Sequence, residues 1–447
     1  MEIRPHYAHL SMENARRPAG VSLFTGRGAF WYNSAKGEMD MARQAAPLDK
    51  LGLYIHIPFC RSKCDYCDFY SLAGAEARMD AYQKALLAHL RETAPLVRDF
   101  PVDTVYFGGG TPSFYGEKRL RELLSAIQKA FRLEKNPEIT LEANPDSVDL
   151  PALRALARTG FNRLSLGMQT LVPRELAAIH RPHTVEQGAA AVMAARQAGI
   201  KNLSLDLIYG LPGQTMGTWQ YSLEHALALA PEHLSCYGLK VEEGTPLAAR
   251  VAAGEALPDD DTQAELYLWT VRRLRQAGYE QYEISNFAKP GFQSRHNLRY
   301  WELRPYLGFG PGAHSDFGGR RYSWVRNLEG YIHGVLEGGE LLDSEDFIPQ
   351  RERGNEYLML RLRTARGVRE WEYRGEYFMD FSPIEARLRE FAAQGWAEPT
   401  GDGGWRLTPS GFLVSNQLIG DLLERQERSR LSDLLPLARE RFAPRPE

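Results

Sequence analysis

The chain has 447 residues, 43% hydrophobic and 25% charged, a globular composition that excludes wholesale disorder, collagen-like repetition and coiled-coil architecture and a length that divides into about two to three domains. Lys and Arg number 54 against 57 Asp and Glu, a formal charge of -3, which provides no general drive onto nucleic acid or anionic lipid. No apolar run is long enough to cross a bilayer, and 4 cysteines in so long a chain do not make a disulfide scaffold, so a cytoplasmic protein is expected, with peripheral membrane association left open.

Residues 1–50 carry scattered Arg, Gly, Ser and Asn and one apolar stretch, Ala29-Phe30-Trp31-Tyr32. They read as an extension, disordered or upstream of a true start near Met41, and they lack the pattern of a secretory signal. From Leu51 a strand–helix rhythm sets in. Strands are expected at Leu53–Ile57, Thr104–Phe107, Glu138–Glu142, Arg163–Gly167, Leu203–Ile208 and Leu234–Leu239, with helical spacing between them. Six such units without a reversal predict an α/β fold with a parallel sheet, a partial (β/α)6 TIM-like barrel over 51–290. A long helix near Asp261–Gln276 precedes a glycine- and aromatic-rich connecting region at 291–349. The stretch 350–447 is again helical in pattern, with a hairpin at Trp396–Thr408 turning on Asp402-Gly403-Gly404, a winged-helix-like C-terminal domain. Neutral charge and the lack of a basic recognition helix argue against DNA binding, and a packing or partner-docking role is expected.

Cys60, Cys64 and Cys67 form C-x3-C-x2-C on the loop after the first strand. Three thiolates so placed can share one centre, and soft sulfur ligands select iron–sulfur, zinc or copper(I). A zinc-binding structural module would want four donors, with His56 the nearest extra candidate. A [4Fe–4S] cluster held by three cysteines leaves one iron open to a small molecule. Gly108-Gly109-Gly110-Thr111-Pro112 ends the second strand and fails the phosphate-loop pattern. Glu142, Gln169 and Asp206 recur at strand ends, where parallel barrels build their sites, although each alone could cap a helix. Arg181 could pair with a carboxylate or form a solvated ion pair. Cys236 lies in a strand and reads as an inert core thiol.

The run Ile57-Pro58-Phe59-Cys60-Arg61-Ser62-Lys63-Cys64-Asp65-Tyr66-Cys67 resembles the cluster loop of the radical S-adenosylmethionine (SAM) superfamily, although Arg61 stands where a proline is expected. With Leu141–Pro145, Ser165–Gln169, His180–His183 and Asp206–Pro212, the chain resembles the branch holding oxygen-independent coproporphyrinogen III oxidase and the related haem chaperones. The resemblance implies a [4Fe–4S] cluster on the three cysteines and SAM on its open iron. It implies SAM contacts at Tyr54, Tyr66, Gly109, Gly110, Thr111, Glu142, Gln169, Arg181 and Asp206. The oxidase has a further cysteine two residues after the third; here that position is Phe69. The H-N-x-x-Y-W pattern in Arg295–Trp301 resembles the chaperones' haem motif, which implies haem contacts at His296, Asn297, Tyr300 and Trp301, with the imidazole as axial ligand. The plain alternative is a histidine packed at a helix beside core aromatics.

A haem chaperone is therefore expected, with haem as cargo, a haem-acceptor protein as partner (a membrane-bound respiratory protein is one candidate) and no nucleic acid. Oxidative decarboxylation of coproporphyrinogen III is the alternative. SAM cleavage and homodimerisation are left open. Gly308–Ser315 reads as a tight turn where backbone approaches a cofactor, haem or the barrel wall.

Overall fold

The computed structural model describes residues 50–441, with side chains through residue 428; the expected extension and the start near Met41 lie outside the described residues. Six parallel strands, β1 (Leu51–Ile57), β2 (Val102–Gly109), β3 (Leu133–Ala143), β4 (Arg163–Gln169), β5 (Asn202–Tyr209) and β6 (His233–Gly238), stand side by side in chain order. Helices α1 (Met79–Thr93), α2 (Glu117–Ala130), α3 (Leu150–Thr159), α4 (Val185–Gln197) and α5 (Met216–Ala228) connect them. α6 (Asp260–Gln276) follows the last strand.

The central residues of each strand alternate. Leu53, Ile55, Val105, Phe107, Leu164, Leu166, Leu203, Leu205 and Leu234 face the helices in one continuous core. The intervening positions, among them Thr104, Thr140, Ser165, Ser204 and His233, are buried polar residues lining the lumen. Period-2 alternation of this kind pins the register, because a one-residue slip would exchange the two faces. Capping fixes where helices start: Thr184 and Gln187 form a reciprocal capping box on α4, and Asp149 caps α3.

The rhythm does not stop at β6. Beyond β7 (Glu280–Gln281) and β8 (Asn286–Ala288), of which β8 pairs antiparallel with β6 and β7 antiparallel with β8 at the sheet edge, the short helix α7 (Arg295–Trp301) crosses the lower end of the barrel. β9 (Tyr306–Phe309) then returns as a seventh parallel strand against β1. β10 (His314–Phe317), β11 (Arg320–Trp324) and β12 (Leu342–Phe347) extend the sheet antiparallel from there, with α8 (Leu328–Glu337) between the last two. The full order is β12-β11-β10-β9-β1-β2-β3-β4-β5-β6-β8-β7, so the barrel is open. The glycine-rich turn at Gly308–Ser315 belongs to the barrel wall: a Cβ at Gly308 would lie 2.2 Å from the carbonyl oxygen of His314.

The C-terminal region carries α9 (Gln350–Arg361), β13 (Val368–Arg369), α10 (Glu370–Tyr377), α11 (Ser382–Ala393), the expected hairpin β14 (Ala397–Pro399) and β15 (Gly404–Leu407), and α12 (Ser415–Arg441). It joins the barrel through backbone bonds from Ile284 to Arg363 and from Ala365 to Tyr282. No helix among the described residues is long and apolar enough to cross a membrane.

Candidate functional site

Above the C-terminal ends of the parallel strands lies a cavity of about 350 Å³, lined by Cys60, Cys64, Cys67 and residues from successive strand ends. The cysteine loop leaves β1 through Pro58. Phe59–Cys60 pairs with Leu72–Ala73, and the Cys67 amide closes a turn on the Cys64 carbonyl at 3.1 Å. Asp65 anchors the loop from outside, taking bonds from His180 Nδ1 at 2.7 Å and Arg250 Nη1 at 2.5 Å.

The glycine motif is the loop's other support. Gly110 and Thr111 donate backbone N–H bonds to Ile57 and Phe59 at 2.8 Å each. Gly109 holds φ +114, and a Cβ on Gly110 would lie 2.8 Å from the Phe59 carbonyl and 3.0 Å from Cys60 Sγ. Backbone and sulfur are in contact there, and only glycine permits it. Gly110→Ala is expected to displace the loop and cut iron retained after anaerobic reconstitution by at least half, with far-ultraviolet circular dichroism unchanged. An iron and sulfide assay checks it, and full loading would contradict the contact.

Two sulfurs already receive hydrogen bonds: Thr111 Oγ1 to Cys60 at 3.4 Å, and Arg181 Nη1 to Cys64 at 3.3 Å. Arg181 is held by Asn144 Oδ1 at 2.7 Å and the Gly167 carbonyl at 2.8 Å, so its charge is aimed at the sulfurs. Burial pushes the Cys60 thiol above its ordinary value and that of Cys67 up to about 11. Both thiols are thus neutral near pH 7 unless a cationic centre takes their protons' place.

Glu142 bridges from β3, accepting from Tyr106 Oη at 2.6 Å and the Gly109 amide at 3.2 Å. Gln169 sits where the β4–β5 register shifts, at φ +62, a strained conformation for a non-glycine residue that turns its side chain into the cavity. Asp206 accepts from the hydroxyls of Ser165 at 2.9 Å, Ser204 at 3.0 Å and Ser235 at 2.6 Å. Burial lifts its carboxyl above the usual carboxylate range against those bonds.

The cavity thus gathers Tyr66, Gly109, Gly110, Thr111, Glu142, Gln169, Arg181 and Asp206 beside the cysteines. Tyr54 is the exception. It lies one layer down the lumen, level with Tyr106, and its hydroxyl bonds His56 Nδ1 at 3.1 Å, so it supports the wall without reaching the cavity. His56 is spent on Tyr54 and, through Nε2, on the Tyr70 carbonyl at 3.0 Å, which removes the fourth donor a zinc site would need. Among the described residues no group of three or more His, Cys, Asp or Glu side chains could hold a single metal ion. Three thiols spread around a cavity suit separate corners of a cluster better than one tetrahedral ion.

His296, Asn297, Tyr300 and Trp301 do not join this cavity. They lie on α7, at the opposite end of the barrel. His296 is 1% exposed, with Nδ1 on Thr104 Oγ1 and Nε2 on Tyr300 Oη, each at 2.9 Å. Its ring stacks on Tyr106 at 5.1 Å. The Glu138 carboxylate accepts the Arg295 and His296 amides at 3.0 Å each, capping the helix from the lumen. The motif plugs the barrel, and axial ligation of a haem iron by His296 would require one of its two side-chain bonds to open. Asn144, Asp65, Arg250 and the three serines around Asp206 were not singled out from sequence. Asp65, Asn144 and Ser165 lay inside motifs that could have pointed to them, whereas Arg250, Ser204 and Ser235 did not.

The model of the radical SAM superfamily matches residues 54–226. The chain is similar to the heme chaperone HemW of Bacillus subtilis, 35% identical over 83% of this chain and 98% of the relative, and to that of Escherichia coli, 34% identical over the same shares. In fold it is similar to the solved coproporphyrinogen III oxidase HemN of Escherichia coli, a radical SAM enzyme, with a TM-score of 0.74 at 24% identity, covering 86% of this chain and 92% of that one.

Proposed function

Because the chain belongs to the HemW family of heme chaperones within the radical SAM superfamily, we propose that it binds haem and passes it to an acceptor protein while holding a [4Fe–4S] cluster and SAM in the cysteine cavity. The observation that carries this reading is similarity to proteins of that name over 83% of this chain and 98% of the relative, joined with Phe69 at the position where the oxidase has its further cysteine. The fold alone does not separate the two activities, since the oxidase shares it.

Cys60, Cys64 and Cys67 would hold the cluster, and Tyr66, Gly109, Gly110, Thr111, Glu142, Gln169, Arg181 and Asp206 would enclose SAM. SAM on such a cluster supplies one-electron chemistry. The chain's own share is electrostatic and steric. Arg181 and Thr111 offset thiolate charge at the sulfurs, Glu142 and Asp206 present acceptors to ligand amino and hydroxyl groups, and the barrel wall excludes water. A membrane-bound respiratory protein is one candidate acceptor; reaching it would place this chain at the membrane surface.

The test is a pair of anaerobic assays on the reconstituted protein. Haem titration is expected to give saturable binding, and coproporphyrinogen III with SAM and reductant is expected to show no decarboxylation above background. Sustained turnover without saturable haem uptake would transfer the chain to the oxidase reading.

A further inference from the structure

The connection that follows β6 reaches the cysteine loop. Its first residues, Leu239, Lys240 and Glu242 among them, line the cavity. The hydroxyl of Thr245 then caps the short helix Pro246–Ala252, accepting the Ala248 amide at 3.2 Å. Leu247, wholly buried, donates its amide to the Asp65 carbonyl at 3.0 Å. Arg250, three residues on and so on the same helix face, directs its guanidinium at the same Asp65.

Every arm of that guanidinium is engaged. Nε and Nη2 form a fork on the Glu255 carboxylate, at 2.6 and 2.7 Å. Nη1 donates to Asp65 Oδ2 at 2.5 Å, and Nη2 donates also to the Ala178 carbonyl at 2.8 Å. Glu255 belongs to the same connection as Arg250, so the fork orients the guanidinium for its two outside partners. Those partners lie on different segments. Asp65 stands between Cys64 and Tyr66 in the cysteine loop, and Ala178 ends the helix Pro173–Ala178, three residues before Arg181. The backbone bond from the Asp65 amide to the Ile179 carbonyl is long, at 3.4 Å. His180, which also meets Asp65, has a side chain 69% exposed and holds φ +51, a strained conformation for a non-glycine residue.

We propose that Arg250 is a positioning residue for SAM: by bridging Asp65 and Ala178 it sets the turn that carries Arg181 against the loop that carries Cys64. The proposal rests on the reading of the cysteine cavity as a SAM site. Arg250 does not itself line the cavity, whereas Arg181 does. Arg181 donates to Cys64 Sγ from one Nη and to Asn144 and Gly167 from the other. A shift of its turn relative to the loop therefore moves a cation off a sulfur and changes the wall a ligand meets. Arg250 has an electrostatic share as well. Asp65, 8% exposed, brings a carboxylate into a loop of three thiols, and without the guanidinium that charge would repel the thiolates a cluster requires.

For the test, each variant of the full chain is reconstituted anaerobically, assayed for iron and dialysed against SAM. Arg250→Gln should keep at least half the wild-type iron, bind SAM about tenfold more weakly or worse, and lose the SAM-induced change of the cubane signal at a SAM concentration that saturates the wild type. Arg250→Lys, which keeps the charge without the fork, should fall between the two. A double-variant cycle separates positioning from plain support. In an Arg181→Lys background, Arg250→Gln should weaken SAM binding by less than about twofold further, because the residue it acts through is already displaced. SAM affinity within about twofold of wild type in Arg250→Gln overturns the proposal, and so does a loss of full size in the Arg181→Lys background. If Arg250→Gln takes up no iron, Glu255→Gln, which loosens the fork alone, should load iron and still weaken SAM binding about threefold or more; unaltered affinity there overturns the proposal. A wild type that binds no SAM removes the cofactor reading and the proposal with it, a result distinct from a wild type that binds SAM no better than its variants.

Discussion

A chain carrying Cys64→Ala should emerge from anaerobic reconstitution with almost no iron, where the wild type retains about four irons and four sulfides per chain. Cys64 stands at the turn of the loop, with its sulfur under the Arg181 guanidinium. Losing it removes one of three thiolate bonds and takes away the sulfur that Arg181 faces, leaving the guanidinium held by Asn144 and Gly167 with Asp146 as its counter-charge. Two remaining cysteines cannot retain a four-iron centre against competition from solvent thiols. The cubane signal in electron paramagnetic resonance of the reduced protein, and its perturbation by SAM, should vanish together. The barrel should remain folded, because the cysteine side chains sit above the sheet and lie outside the helix-facing core. Cys236→Ala is the control: that thiol faces the core between β6 and the helices and should leave iron content unchanged. Retention of wild-type iron in Cys64→Ala would sink the assignment of the cluster.

His296→Ala should destabilise the chain by about 2–4 kcal/mol, read as a shift of the denaturant midpoint. The sum counts two buried hydrogen bonds at about 1 kcal/mol each, the loss of a stacked aromatic contact at about 0.5–1.5 kcal/mol and the cavity left in a packed lumen. Thr104 Oγ1 and Tyr300 Oη would both lose their bond to the imidazole. Haem affinity, measured under conditions in which both proteins are folded, should stay within twofold of wild type, since neither imidazole nitrogen faces outward. A tenfold loss of affinity with the midpoint unchanged would mean instead that α7 lifts from the barrel to let His296 reach haem.

The legible and illegible parts of this molecule differ in how far apart the cooperating residues lie. β1 to β6 could be read because Leu, Ile and Val on their helix-facing positions recur at every strand, and the cysteines because one loop carries all three. β12, Leu-Asp-Ser-Glu-Asp-Phe, has no apolar face to betray it, and its partner β11 is mostly Arg and Tyr. Asp65 with Arg250 spans 185 residues and Asp65 with His180 spans 115, and nothing local marks such pairs. The α7 motif was ambiguous for a different reason. Polar and aromatic residues at helical spacing carry the same signature whether they close a barrel or grip a ligand.

One consequence of β9 concerns repair after oxidative damage. Because β9 pairs with β1, the strand that feeds the cysteine loop has a hydrogen-bonded neighbour on each side and sits fifth from one edge of twelve. Its amides can exchange with solvent only when the sheet as a whole opens, whereas the loop can loosen by itself. Oxygen that destroys the cluster therefore strips the loop without unravelling the strand beneath it. The chain left behind is a folded acceptor, ready to be reloaded.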